Sequence, residues 1–149
     1  MTSSQTPSSL PEIIENFSIL DDWDDRYRYL IELGRMLEPL PEAAHSDANK
    51  VRGCASQVWL ETSVRPAAGS SAPALFLRGD SDAHIVRGLV ALVLAVFSGH
   101  AATTIVATDA GKVFEELGLS QHLTPQRSNG VKAMVERIKA EARAVLAAA

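Results

Sequence analysis

Across residues 85–97 the chain is apolar almost all round, with Ile85, Val86, Leu89, Val90, Leu92, Val93, Leu94 and Val96 leaving no polar face for water. A helix of that kind has to lie at the centre of the fold, and the rest of the chain must supply its cover. Gly79-Asp80-Ser81-Asp82 reads as its start signal and Gly99 as its end. The most apolar part, residues 88–97, is far shorter than the ~18 residues that mark a membrane span, so a core helix is expected and a membrane partner is not. At 149 residues the chain is long enough to bury such a helix in one domain without disulfides or metals to staple it.

The flanking segments read as that cover. Ser9 and Glu12 have capping-box spacing and Pro11 falls in the first turn, which predicts a helix with Leu10, Ile13, Ile14 and Phe17 on its apolar face, ending before Asp21. Asp21 or Asp22 then caps a longer helix whose Trp23, Tyr27, Leu30, Ile31, Gly34 and Leu37 recur at helical spacing until Pro39 and Pro41 stop it. Residues 42–50 read as a polar loop. Period-two alternation over 57–64 predicts a strand, residues 74–78 predict a second, and the Pro-, Gly- and Ser-rich residues 65–73 form a mobile turn between them. With a short strand leading into Cys54, the expected fold is α+β: a small antiparallel sheet of about three strands packed against helices. A short helical turn is expected over 101–106. Asp109 is expected to cap a helix closed by Gly118. Ser128 is expected to cap the last helix, with Val131, Met134, Val135, Ile138, Ala142 and Val145 as its buried stripe. Residues 1–9 lack the basic and then apolar regions of a secretion signal and read as a disordered tail, which leaves 10–149 as a single domain with the cytoplasm as its expected location.

Cys54 is the only cysteine, so no intramolecular disulfide can form and nothing points to an oxidising compartment. A lone cysteine is ordinarily a small buried hydrophobe. Here Arg52, Gly53, Ser56 and Gln57 surround it with polar and flexible groups. Gly53 allows a sharp bend just before the thiol, and a nearby guanidinium favours the thiolate, so the reading shifts to a reactive thiol. A Cys/His hydrolase or transferase would need His45, His84, His100 or His122 within reach of Cys54, and none carries a local signature. An interaction domain with an incidental thiol is the third reading. A zinc site built of cysteines is excluded by the count, and no glycine-rich phosphate loop implies a bound cofactor. The net charge of −4 offers no basic footprint for nucleic acid. Thr124-Pro125-Gln126-Arg127-Ser128 places an arginine just before a helix start, where anions are favoured, although a solvated arginine is the plainer reading.

Three stretches, Gly53-Cys54-Ala55-Ser56-Gln57-Val58-Trp59, Gly79-Asp80-Ser81-Asp82-Ala83 and Gln121-His122-Leu123-Thr124-Pro125-Gln126-Arg127-Ser128-Asn129-Gly130, closely resemble in order and spacing the SufE family of sulfur-acceptor proteins. The resemblance spans about residues 10–146. It implies a mixed α/β domain similar to the iron-sulfur scaffold fold, with Cys54 as a persulfide acceptor. Its partners would be a SufS-type, pyridoxal-phosphate cysteine desulfurase that it stimulates and, downstream, an iron-sulfur cluster assembly scaffold. By the same resemblance Arg127 and Asp80, with Gly53 and Gln57 in the cysteine motif and Glu115 more weakly, support the cysteine loop or meet the partner. The chain itself would need no cofactor, since the pyridoxal phosphate resides in the desulfurase. A cluster scaffold needs several ligands held together, so a one-cysteine chain carries sulfur and does not build clusters. The chemistry is that of thiol-disulfide exchange, with the Cys54 thiolate attacking the outer sulfur of the donor persulfide.

Overall fold

The computed structural model describes residues 9–66 and 72–148; most of the expected tail and the middle of the expected mobile turn lie outside the described residues. Helix α1, Leu10–Ile19, begins where Ser9 accepts a hydrogen bond from the Glu12 N–H, and it buries Ile13 and Phe17. Helix α2, Trp23–Arg35, is capped by the Asp22 carboxylate through the Asp24 N–H and buries Leu30, Leu33 and Gly34. Both follow from local signals: an oxygen-bearing cap relieves an orphan donor, and the apolar residues recur on one side.

The apolar run forms helix α3, His84–Phe97, with Gly88, Leu89, Val90, Leu92, Val93, Leu94, Val96 and Phe97 all buried. Helix α2 lies against it at backbone distance. A Cβ placed on Gly88 would come 2.1 Å from the Leu30 carbonyl oxygen, and one on Gly34 would come 2.8 Å from the Gly88 nitrogen. The two glycines therefore remove the side chains that would otherwise hold the helices apart, and the contact they permit brings Leu30 and Leu33 into the core.

Strand β1, Val58–Arg65, pairs antiparallel with β2, Ala74–Ser81, in a register running from Val58 opposite Ser81 to Arg65 opposite Ala74. A two-residue strand β3, His100–Ala101, adds to the other edge of β2, giving the order β1-β2-β3. The α+β fold with three antiparallel strands is as the sequence reading has it, but the third strand is a different one. The segment before Cys54 makes only a single bridge, Lys50 with Trp59, and the chain completes the sheet after α3 instead. Gly79, Asp80 and Ser81 belong to β2 and not to a helix start. Helix α3 begins after Ala83 with no side-chain cap, because Asp80 and Asp82 are turned to other partners.

Helix α4, Ala102–Ala107, is the expected short helical turn, and α5, Ala110–Glu116, is capped by Asp109 and followed by Gly118 at φ 77. The last helix, α6, spans Pro125–Ala148, so it starts before Ser128. Pro125 is preorganised for a first helical position, and the Thr124 hydroxyl accepts the Arg127 N–H at 3.2 Å, taking the capping role assigned to Ser128. Val131, Met134, Ile138 and Ala142 are buried, with Val135 and Val145 half-buried beside them. Among the described residues no helix is long and apolar enough to cross a membrane.

The α2–α3 contact leaves no room for a methyl group. Gly88→Ala is expected to destabilise the fold by about 3 kcal/mol, the upper end for an overpacked core, because the obstacle is backbone and not a flexible side chain. Urea denaturation checks this, and an unchanged midpoint would contradict the close approach.

Candidate functional site

The cysteine segment is a loop suspended between two backbone anchors. On one side the Val51 N–H donates to the Val58 carbonyl and the Leu60 N–H to the Asn49 carbonyl, both at 2.8 Å. On the other, the Gln57 N–H donates to Asp82 Oδ1 at 3.1 Å while the Asp82 N–H returns a bond to the Gln57 carbonyl at 3.2 Å. Residues 52–56 arch out between them, and Gly53 takes φ 93, the left-handed bend for which glycine has no steric cost. From α6, Arg137 holds the stem by donating to the Lys50 and Ala48 carbonyls at 3.0 and 2.8 Å.

The bend turns Cys54 inward. Its thiol is half-buried, with Sγ 3.7 Å from the Gly130 carbonyl, and it faces a cavity of about 200 Å³. Val86 and Leu89 of α3 and Thr124, Arg127, Gly130 and Met134 of α6 and its cap line that cavity. Gly130 matters here because a Cβ on it would stand 3.5 Å from Sγ, in van der Waals contact with the sulfur. Burial pushes the Cys54 thiol above its ordinary pKa, since desolvation disfavours the thiolate. The expected help from a neighbouring guanidinium does not offset this: Arg52 is exposed, and desolvation is the cause that acts on the thiol. Arg127 shares the cavity, and its guanidinium has no ion-pair or hydrogen-bond partner among the described residues.

Of the other residues singled out in the sequence, Gly53 and Gln57 act through their backbones. Asp80 lies outside the cavity, opposite Trp59 in the β1–β2 register. Its Oδ2 is 2.8 Å from His45 Nε2, and its Oδ1 accepts the Ser81 N–H at 2.8 Å. Arg87 Nε is 3.0 Å from Oδ1, an ion pair whose N–H is not aligned for a hydrogen bond. Glu115 is exposed on α5 and does not line the cavity. No histidine lines it either. His45 is paired with Asp80, and His122 stacks on Trp23 with ring centroids 3.7 Å apart. Among the described residues no three His, Cys, Asp or Glu side chains converge as metal ligands would. The cavity walls from α3 and α6 were not evident in the sequence; the glycine inside a helical pattern at position 130 is the one local sign of a close approach.

A family model described as SufE, Fe-S metabolism associated domain, matches residues 11–142. An uncharacterized SufE-like protein of Rhizobium meliloti is 52% identical over 141 residues, covering 95% of this chain and 99% of that one. An uncharacterized SufE-like protein of Rhizobium etli is also 52% identical over 141 residues, covering 95% and 94%. Among solved structures, the solution structure of a hypothetical protein from Thermus thermophilus superposes with a TM-score of 0.72 at 21% identity, covering 95% of this chain and 98% of that one. That likeness concerns the fold.

The half-buried thiol has a measurable consequence. Alkylation of Cys54 in the free protein at neutral pH is expected to be about tenfold or more slower than that of an unstructured cysteine peptide, because both thiolate fraction and access are reduced. Its rate should go on rising at pH values where the peptide has levelled off. A peptide-like rate and pH profile would refute the buried position.

Proposed function

Because the chain belongs to the SufE family, whose domain is associated with Fe-S metabolism, we propose that it is a sulfur carrier that receives sulfur on Cys54 from a cysteine desulfurase of the SufS type. The observation that carries this reading is a lone thiol held on a two-anchor loop over a small cavity with an unpaired arginine. The Cys54 thiolate attacks the outer sulfur of the donor's persulfide. A new S–S bond forms to Cys54, the donor S–S bond breaks, and the donor cysteine departs as thiolate, so no oxidant is consumed. Removing sulfur from the donor stimulates it. With no second cysteine to resolve the product, the persulfide must hand its sulfur to another protein or to a reductant, and an iron-sulfur assembly scaffold is the proposed recipient.

The cavity suits the waiting state and the loop suits the transfer. Apolar walls from Val86, Leu89 and Met134 shield an added sulfur from small thiols, and Arg127 offers a positive charge to an anionic persulfide. Transfer requires the opposite condition, an exposed sulfur, so the loop swings outward when the desulfurase docks. Gly53 supplies the hinge. Exposure also removes the desolvation that keeps the thiol protonated, so docking changes access and charge together. Asp80 and Gln57 support the loop, and Glu115, on a separate surface, is left as a partner contact. The chain acts without a metal or cofactor of its own, the pyridoxal phosphate being the desulfurase's, and it works in the cytoplasm.

Incubation with a SufS-type desulfurase and cysteine is expected to add one sulfur atom to the wild-type chain by intact mass, and none to Cys54→Ser. Arg127→Ala should accept sulfur about tenfold more slowly, the worth of one charge-assisted contact. Chelator treatment should leave the rate unchanged. An adduct undiminished in Cys54→Ser, or no adduct on wild type, would end the carrier reading.

A further inference from the structure

We propose that His45 is a positioning residue for the cysteine loop: its ring, paired with Asp80, pins the stem of residues 45–51 to the β1–β2 hairpin, and breaking the pair makes Cys54 more accessible. This concerns access to the thiol and stands whether or not the thiol carries sulfur. His45 follows the short 3-10 turn Glu42–Ala44, nine residues before Cys54 in the chain. Its Nδ1 lies 3.1 Å from the Pro41 carbonyl and its Nε2 lies 2.8 Å from Asp80 Oδ2, while Trp59 of β1 meets the ring edge-on at 4.6 Å. Both ring nitrogens therefore face acceptors. A neutral imidazole has one N–H and satisfies only one of them, whereas the imidazolium satisfies both.

The surroundings favour the same state. Asp80, from β2, is the charged group on the ring, and its hydrogen bond raises the His45 pKa above the ordinary value of 6.5. Arg87 of α3 touches the other oxygen of Asp80, Trp59 is uncharged, and Glu42 of the turn meets His45 through its backbone carbonyl. A group whose folded pKa is raised contributes its full stabilisation below the unfolded value and loses it as pH rises through the folded one. The clamp is thus complete in mildly acidic solution and weakens above pH 6.5.

The stem has two other restraints: the Arg137 bonds to the Ala48 and Lys50 carbonyls, and the backbone bonds of Asn49 and Val51 to β1. Neither involves the His45 ring. Opening the stem must break all three, so loss of the His45 contact alone raises the frequency of opening without abolishing the closed state.

The test is the alkylation rate of Cys54 in the full chain from about pH 5.5 to 8.5, on both sides of an ordinary histidine. A thiol in a fixed environment gives a log rate that rises with the slope of one proton. Wild type is expected to rise more steeply across the His45 titration. His45→Arg keeps the charge and should follow the one-proton slope at the slow, clamped level. His45→Gln should run parallel to it, about five- to tenfold faster, the effect of losing one charged hydrogen bond. Three coincident profiles would overturn the proposal. Should either variant fold poorly, the wild type alone decides through NMR. The His45 ring should titrate above 6.5, and amide exchange over residues 45–54, corrected for intrinsic base catalysis, should accelerate in step with it. Exchange indifferent to that titration would overturn the proposal equally.

Discussion

Helix α3 must be covered nearly all round, because from Gly88 to Phe97 none of its residues is exposed and only Ala91 and Ala95 are as little as half-buried. Helix α2 takes one side through the Gly34–Gly88 contact, β2 takes a second, and α6 a third, with α1 against what remains. This demand fixes the architecture more firmly than any strand pairing does. The covering helices α1, α2 and α6 each carry exposed residues on their outer side, whereas in α3 only His84 is exposed and in β2 no residue is. The cover thins near the amino-terminal end of α3, where Val86 and Leu89 are roofed by the cysteine loop and the start of α6. The Cys54 cavity is therefore a gap in the packing around the core helix, and its floor is apolar for that reason.

Placing a thiol at such a gap sets two electrostatic effects against each other. The start of a long helix and the unpaired Arg127 both favour an anion, while the walls of α3 and α6 remove the water a thiolate needs. In the free chain desolvation wins, and the thiol is held protonated. A displacement of the loop outward would restore water to the sulfur and so remove the desolvation that acts on it.

What the sequence made legible was the local part. Ser9, Asp22 and Asp109 announce their helices because a cap is a contact over two or three residues, and Gly118 and Gly99 mark ends because of their backbone alone. Where two local signals competed, the reading failed: Thr124 and Ser128 are both cap residues, and Pro125 decides between them by fixing the first helical position. Gly79-Asp80-Ser81-Asp82 has the composition of a helix start. It is strand up to Ser81 because its partners across the hairpin, Val58 to Leu60, extend the ladder. The third strand depends on where the chain returns after α3, which no window of residues contains. At the site the same division holds. Cys54, Gly53 and Arg127 lay within motifs and are brought to one loop and one cavity, but its walls come from residues 32 to 80 positions away, and the His45–Asp80 pair spans 35.

The absence of a histidine among the cavity's described lining residues bears on what kind of chemistry suits this thiol. A hydrolase must generate its nucleophile for every turnover and then protonate a leaving group, and both steps use a base beside the sulfur. Among the described residues that line the cavity none is a carboxylate or an imidazole, and the guanidinium of Arg127 is a hydrogen-bond donor with no acceptor site. Sulfur exchange asks for less: the leaving group is itself a thiolate that needs no proton, and the nucleophile needs only exposure to water or to a partner's positive charge. Exchange of that kind makes no demand for a base that the residues lining this cavity would have to meet.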